Sequence, residues 1–370
     1  MSFLLFIVLI VVLIVAHEFG HLVVAKLSGM RVDEFGIGYP PKIYGKKFGE
    51  TEYSINWLPF GGFVRIYGED ATDDTVLASK KAFAARPRLY QALTLVAGIA
   101  MNLLLAYVLI SITLAVGTPR ALDPSEVANA PDAVLTVSDV LPGSPADAAG
   151  LKVGDEITAA RIGASASSRI FSGTDADAFL RFVASDASSS PIEFLLTRDG
   201  ASTTLSAAPK AGTIANDPNR VALGVSVVPV GTVPEPLLRA PIDGASLTWE
   251  VTKETAVGLA QFLWSAVTLH ANLSEVSGPI GIAYAAGSAY AQGFMQLVSF
   301  AAVISINLAI VNLLPIPALD GGRLLFVIIE AITRRRISPT VASYLNAVCF
   351  ALLILLMLVV SGHDIWVRVH

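Results

Sequence analysis

Phe6 to Leu27 reads FIVLIVVLIVAHEFGHLVVAKL, an apolar run of membrane-spanning length with two histidines and a glutamate set into it. A helical span needs roughly 20 apolar residues. Each ionisable group inside one costs about 2.5–3.5 kcal/mol on insertion scales, so three within five residues need a compensating interaction. Read as a helix, His17 and His21 stand four residues apart and project from one face, a turn from each other. Two imidazoles at that spacing can grip one tetrahedral Zn²⁺. Glu18 is rotated by about 100° from His17, a direction that reaches a metal-bound water rather than the metal. The same pattern arises often by chance in soluble helices; the insertion cost argues for coordination here. Gly20 sets no side chain between the histidines.

Composition agrees with a membrane chain. Of 370 residues 54% are apolar and 15% charged, against about a quarter charged in soluble domains. Net charge is −5 with no long basic run, so nothing invites a nucleic-acid partner. Cys349 is the single cysteine, so an intrachain disulfide is impossible and a zinc site must draw on His and carboxylate. Four spans are expected: 1–27, 89–116, 294–322 and 341–361. The N-terminus lacks the basic region and small-residue cleavage site of a signal peptide, so the first run is expected to stay as a span.

Basic residues orient the spans. Lys42, Lys46, Lys47, Arg65, Lys80, Lys81, Arg86 and Arg88 fall in the 28–88 loop, and Arg323, Arg334, Arg335 and Arg336 in the 323–340 loop. Both loops are therefore expected in the cytoplasm, with both termini and the long 117–293 region outside. HEFGH and Asp320 then share one depth, near the cytoplasmic side.

Catalytic zinc usually keeps three protein ligands. His270, His363 and His370 are poorly placed by this topology. The best candidate is Asp320 in NLLPIPALDGG (312–322), where Pro315, Pro317, Gly321 and Gly322 must unwind the third span. Broken backbone at membrane depth is tolerated where it lines a polar cavity or is buried in protein. Asp320 as a simple cap of the helix that follows is the competing reading. Asn312 fits either a hydrogen bond to substrate or oxyanion, or a structural amide.

HEFGH in a first membrane helix together with N-x-x-P-x-P-x-L-D-G resembles the bacterial branch of the site-2 protease family, the regulated intramembrane metalloproteases. The likeness extends over FGIGYPP (35–41), YSINWLPFGGFVRIYGE (53–69) and GPIGIA (278–283). It implies His17, His21 and Asp320 as zinc ligands, Glu18 as catalyst and Asn312 as a substrate-positioning residue, in a bacterial cytoplasmic membrane. Segment 53–69 reads locally as a hairpin turning at Pro59-Phe60-Gly61-Gly62. The resemblance implies that it dips into the membrane beside the active site; an ordinary cytoplasmic hairpin fits the same pattern. An exposed strand edge there could add a substrate strand, with Gly61 and Gly62 permitting close approach.

The expected fold is thus a multi-pass α-helical membrane protein of about four transmembrane helices, with a membrane-associated β-hairpin and an inserted extracytoplasmic α+β domain at 122–213. In VSDVLPGSPADAAGLKVGDEI (137–157), Ser144 can cap a short helix that begins at Pro145 and stops at Gly150. Asp199-Gly200 signals a two-residue hairpin. This region resembles one PDZ domain, whose peptide ligand stays unknown and whose insert at 160–173 departs from a compact version. Residues 214–293 follow, amphipathic from Pro234 to about His270, as a membrane-surface helix, a cap over the core, or a packing helix.

Three functions are weighed. The leading one is a zinc endopeptidase that cuts single-pass membrane proteins within or beside their span; the resemblance implies anti-sigma factors or remnant signal peptides as substrates. A non-catalytic PDZ membrane scaffold would gain nothing from Glu18. A metal transporter would need a second polar layer along the spans.

Overall fold

The computed structural model describes residues 2–369 except 70–75, 77–78, 163–168, 185–190, 199, 214–220, 269–277 and 336. The chain divides into two compact units, Met1–Ala115 with Pro236–His370, and Val116–Glu235.

Helix α1 (Ser2–Leu27) carries HEFGH in its last third. It stops at Gly29, whose φ of +71° suits glycine, while Gly29 N–H donates to Lys26 O and Met30 N–H to Ala25 O. These two bonds satisfy carbonyls that the helix end would otherwise strand. Strands β1 (Val32–Phe48) and β2 (Thr51–Ile66) follow, with the chain turning at Gly49, and α2 (Arg88–Val116) comes next. Leu22, Met30, Val32, Phe35, Ile66 and Leu95 bury together and tie α1, both strands and α2 into one core.

The hairpin expected within 53–69 is not what forms. Residues 35–37 of β1 pair with Tyr53–Ile55 on one side and with Val64–Gly62 on the other, so the two halves of β2 flank β1 instead of pairing with each other. Gly61 and Gly62 lie inside β2 rather than at a hairpin tip. A long-range partner displaced the local turn because it joins both halves to a buried strand.

The second unit is a seven-stranded sheet. Its strands are β3 (Pro119–Ala121), β4 (Val134–Val140), β5 (Glu156–Ile162), β6 (Arg169–Phe171), β7 (Ile192–Arg198), β8 (Ala201–Ala207) and, later in the chain, β11 (Val225–Thr232). The order is β3-β11-β4-β5-β7-β8, with β6 paired to β5. Strands β9 (Lys210–Ala211) and β10 (Val221–Ala222) form a separate pair. Helices α3 (Pro145–Ala148) and α4 (Ala176–Ala184) cover a core that includes Leu135, Phe179, Ile192, Phe194 and Leu196.

Ser144 accepts from Asp147 N–H, Pro145 opens α3 and Gly150 turns out of it at φ +81°. Strands β7 and β8 join between the paired Arg198 and Ala201; Gly200 has φ +78°, and Asp199 lies outside the described residues. Within the insert, Phe171–Arg169 of β6 pairs with Ala160–Ile162 of β5, adding one short strand to the sheet. Residues 163–168 lie outside the described residues. Asp155 is fully buried and bound at 2.6 and 2.7 Å by Arg198 Nε and Nη2.

The chain then returns through α5 (Ala240–Val267), α6 (Pro279–Gln292), α7 (Phe294–Leu313), α8 (Asp320–Thr333) and α9 (Pro339–Val369). Among the described residues, α1, α2, α7 and α9 are the four helices long and apolar enough to cross a membrane. Ala106 and Ile110 of α2, Ala240 of α5, and Ala302 and Ile306 of α7 pack as one cluster of small and branched side chains. GPIGIA opens α6: buried Asp364 of α9 accepts N–H groups from Gly278 and Gly281 at 2.9 Å each. A side chain on Gly278 would meet that carboxylate.

The third span, read as unwinding at Pro315 and Pro317, is helical from Phe294 to Leu313, since a proline cannot continue a helix. The chain folds back so tightly that a Cβ on Gly321 would lie 2.3 Å from Leu313 O, and one on Gly322 2.2 Å from Ile316 O. The paired glycines let α8 begin directly against the end of α7.

Candidate metal centre

Asp320 stands at the first position of α8, and Leu319 holds the cap position with no side-chain cap bond. The Asp320 carboxylate is bonded to the imidazoles of His17 and His21 rather than to the N–H groups of the helix start. Its Oδ2 lies 2.8 Å from His17 Nε2 and 3.2 Å from His21 Nε2, and the two imidazole nitrogens are 3.1 Å apart. The three groups converge across some three hundred residues of sequence, with both histidines buried.

The donor set fits zinc. Nitrogen and oxygen ligands at about 2.0–2.1 Å from a tetrahedral ion lie about 3.3 Å from one another. The observed triangle is that shape, slightly contracted. Protonation fits too: His21 Nδ1 lies 2.7 Å from the Thr94 carbonyl, which only accepts, so Nδ1 carries the proton and Nε2 keeps its lone pair for a metal.

Helix α2 supplies the wall behind the imidazoles. A Cβ on Gly98 would sit 2.4 Å from His21 Nε2 and 2.7 Å from His17 Nε2. A Cβ on Gly20 would meet Ala97 O at 2.3 Å. Gly20 is thus required by the approach of α2, not by room between the histidines. Thr94, Gly98 and Asn102 recur every four residues along one stripe of α2, facing α1. Asn102 is fully buried, its amide nitrogen 3.1 Å from His17 Nδ1, and Ser305 of α7 donates to its backbone carbonyl.

Glu18 accepts a hydrogen bond from Val64 N–H of β2 at 3.0 Å. Gly61 and Gly62 lie against Ile14, Val15 and Glu18 of α1. A strand therefore runs beside the metal-facing part of α1, its backbone already engaging the carboxylate. Asn312 is half-buried one residue before the end of α7 and makes no side-chain hydrogen bond to a described residue. His270, His370 and the side chain of His363 lie outside the described residues.

A cavity of about 430 Å³ opens beside Asp320, lined by Leu319, Arg323, Asn346 and Phe350. In the other unit a cavity of about 230 Å³ lies between Leu141, Phe179, Val183 and Gly224. Sequence reasoning missed Thr94, Gly98, Asn102 and Val64. The available signal was one buried-type amide, Asn102, spaced four residues from a glycine in an otherwise apolar span.

Comparison with known proteins gives a consistent picture. Residues 5–356 match the model of peptidase family M50. A Clostridium perfringens protein is 35% identical, covering 95% of each chain. The zinc metalloprotease RasP of Geobacillus kaustophilus is 30% identical over 97% of this chain and 96% of its own. The regulator of sigma-W protease RasP of Bacillus subtilis is 29% identical over 97% of both.

Proposed function

The chain belongs to peptidase family M50, the site-2 proteases, and from that premise we propose an intramembrane endopeptidase in which His17, His21 and Asp320 hold Zn²⁺ and Glu18 is the general base. The family and the named relatives make it a zinc metalloprotease, and its apolar helices make it an integral membrane protein. The observation that carries the residue assignment is the convergence of three ligand atoms within 3.2 Å, one residue along the helix from a carboxylate that none of them uses.

When bound, zinc lowers the pKa of a coordinated water toward about 7 and polarises a carbonyl. Glu18 takes the proton of the attacking water and delivers it to the leaving amine. Val64 N–H holds the Glu18 carboxylate in one orientation, which keeps it aimed along the ligand face of α1. The edge of β2 at Gly61–Val64 receives the unwound substrate as an added strand, and Asn312 orients its backbone. The substrate must unwind first, because helical hydrogen bonds shield its carbonyls.

The substrate class is single-pass membrane proteins, with an anti-sigma factor suggested by the sigma-W name of one relative. The Val116–Glu235 unit is read as a PDZ-like domain that meets the outer part of the substrate, its peptide ligand unassigned. It faces outside together with both termini, and the metal centre lies toward the cytoplasmic side of a bacterial inner membrane.

The test uses full-length protein in vesicles with a single-pass reporter. Glu18→Gln is expected to retain zinc while cleavage falls by about 10²–10⁴-fold, the range for a lost general base. Wild-type cleavage in that variant would reject Glu18.

A further inference from the structure

Thr94 O fixes the proton of His21, but the corresponding partner of His17 is a side chain that can face the ring in two ways. Asn102 Nδ2 lies 3.1 Å from His17 Nδ1, and Asn102 Oδ1, fully buried, finds no hydrogen-bond partner among the described residues. A histidine that gives Nε2 to a metal carries its proton on Nδ1 and donates there. Two donors cannot face each other. Either orientation of the amide leaves one of its ends unpaired, so the proton on the histidine decides between them.

The geometry points to Asn102 as a positioning residue of the metal centre: in the zinc-loaded protein its amide presents Oδ1 to His17 Nδ1–H and selects the Nε2-binding tautomer. The inference rests on the assignment of His17 as a ligand made above. Three features hold Asn102 in place for this. Its side chain is fully buried, its own carbonyl is anchored by Ser305 Oγ at 2.8 Å, and Gly98 one turn earlier lets α2 approach the imidazoles. The two histidines then have equivalent outer partners, a backbone oxygen for His21 and an amide oxygen for His17. Both come from one stripe of one helix. Asn102 and this side of the His17 ring are wholly enclosed by protein, so the acceptor is a protein group rather than bulk water.

The test compares Asn102→Leu, Asn102→Asp and His17→Ala in the full chain, measuring zinc affinity by chelator competition and site geometry by the visible absorption of Co²⁺. Asn102→Leu keeps the shape but removes the acceptor, and is expected to weaken zinc by about 10–100-fold. Asn102→Asp keeps an acceptor and is expected to hold zinc within a few-fold of wild type, with the Co²⁺ spectrum preserved. If the amide instead donates to the ring, or merely packs, Asp will be as poor as Leu or Leu as good as wild type; either result overturns the proposal. Should the Leu variant fail to fold, Asn102→Ala takes its place: it too lacks the acceptor, so a loss of about 10–100-fold in zinc affinity is expected and wild-type affinity overturns the proposal. His17→Ala separates the two layers of the argument. Zinc retained there removes His17 as a ligand, whereas zinc lost there but unchanged in both Asn102 variants removes only Asn102.

Discussion

Two aspartates, one in each unit, differ in how their carboxylates are satisfied. Asp155 in the β-rich unit is closed on both sides: Arg198 forks onto its two oxygens at 2.6 and 2.7 Å, and Lys152 N–H donates at 2.9 Å. A guanidinium is planar and permanently charged, so the pair is complete without any third party. Asp320 faces two imidazoles instead, at 2.8 and 3.2 Å. With the His21 proton committed to Thr94 O, a nitrogen lone pair points at a carboxylate oxygen. Such a contact repels unless a proton or a metal ion lies between them. One aspartate is complete with its arginine; the other, proposed above as a ligand, faces two imidazoles.

Removing each partner in turn sharpens the contrast. Arg198→Ala leaves a buried carboxylate unpaired and is expected to destabilise the Val116–Glu235 unit by about 3 kcal/mol, the low end for orphaning a buried charge since Arg198 is partly exposed. Hydrogen exchange at Phe194 and Leu196 in the full chain reads this, and zinc content should not change. Unaltered protection there would make the Asp155 pair incidental. Gly98→Ala acts on the other side. Its methyl falls 2.4 Å from His21 Nε2, so the imidazoles must shift, and zinc affinity is expected to drop by about 10–100-fold with the β-rich unit untouched. Normal affinity would mean that α2 does not confine the ligands.

The smallest effect is one of pH. Burial alone would raise the Asp155 carboxyl, but Arg198 and the Lys152 amide outweigh it and hold its pKa below the ordinary carboxylate value. A group depressed in the folded state contributes stability above its unfolded pKa of about 3.9 and loses it as pH falls through the folded value. Protection of β4, β5 and β7 should therefore weaken below about pH 4, and Asp155→Asn should flatten that dependence. An identical acid profile in the variant would assign the sensitivity to another carboxylate.

Much of the candidate metal centre was legible because its residues break local rules. HEFGH puts charge where charge is costly, and Pro315, Pro317, Gly321 and Gly322 end a helix inside an apolar run. The Ser144 cap and the Gly200 turn were readable for the opposite reason, since both obey local rules. What escaped notice depends on partners remote in sequence. The strand pairing of 35–37 with both 53–55 and 62–64 overrides the turn that Pro59 to Gly62 suggests locally. Gly20 reads as spacing between histidines until Ala97 O is found pressed against it. Asn102 looks like one amide in a greasy helix; its meaning comes from His17, 85 positions earlier.

Metal analysis of purified full-length Asp320→Ala beside Asp155→Ala tests the account most directly. The expected outcome is about one zinc per chain in wild type and in Asp155→Ala, and little or none in Asp320→Ala, in keeping with a site of three protein ligands. Full zinc occupancy in Asp320→Ala would show that the carboxylate between the histidines is not a ligand, and the assignment of this centre would be wrong.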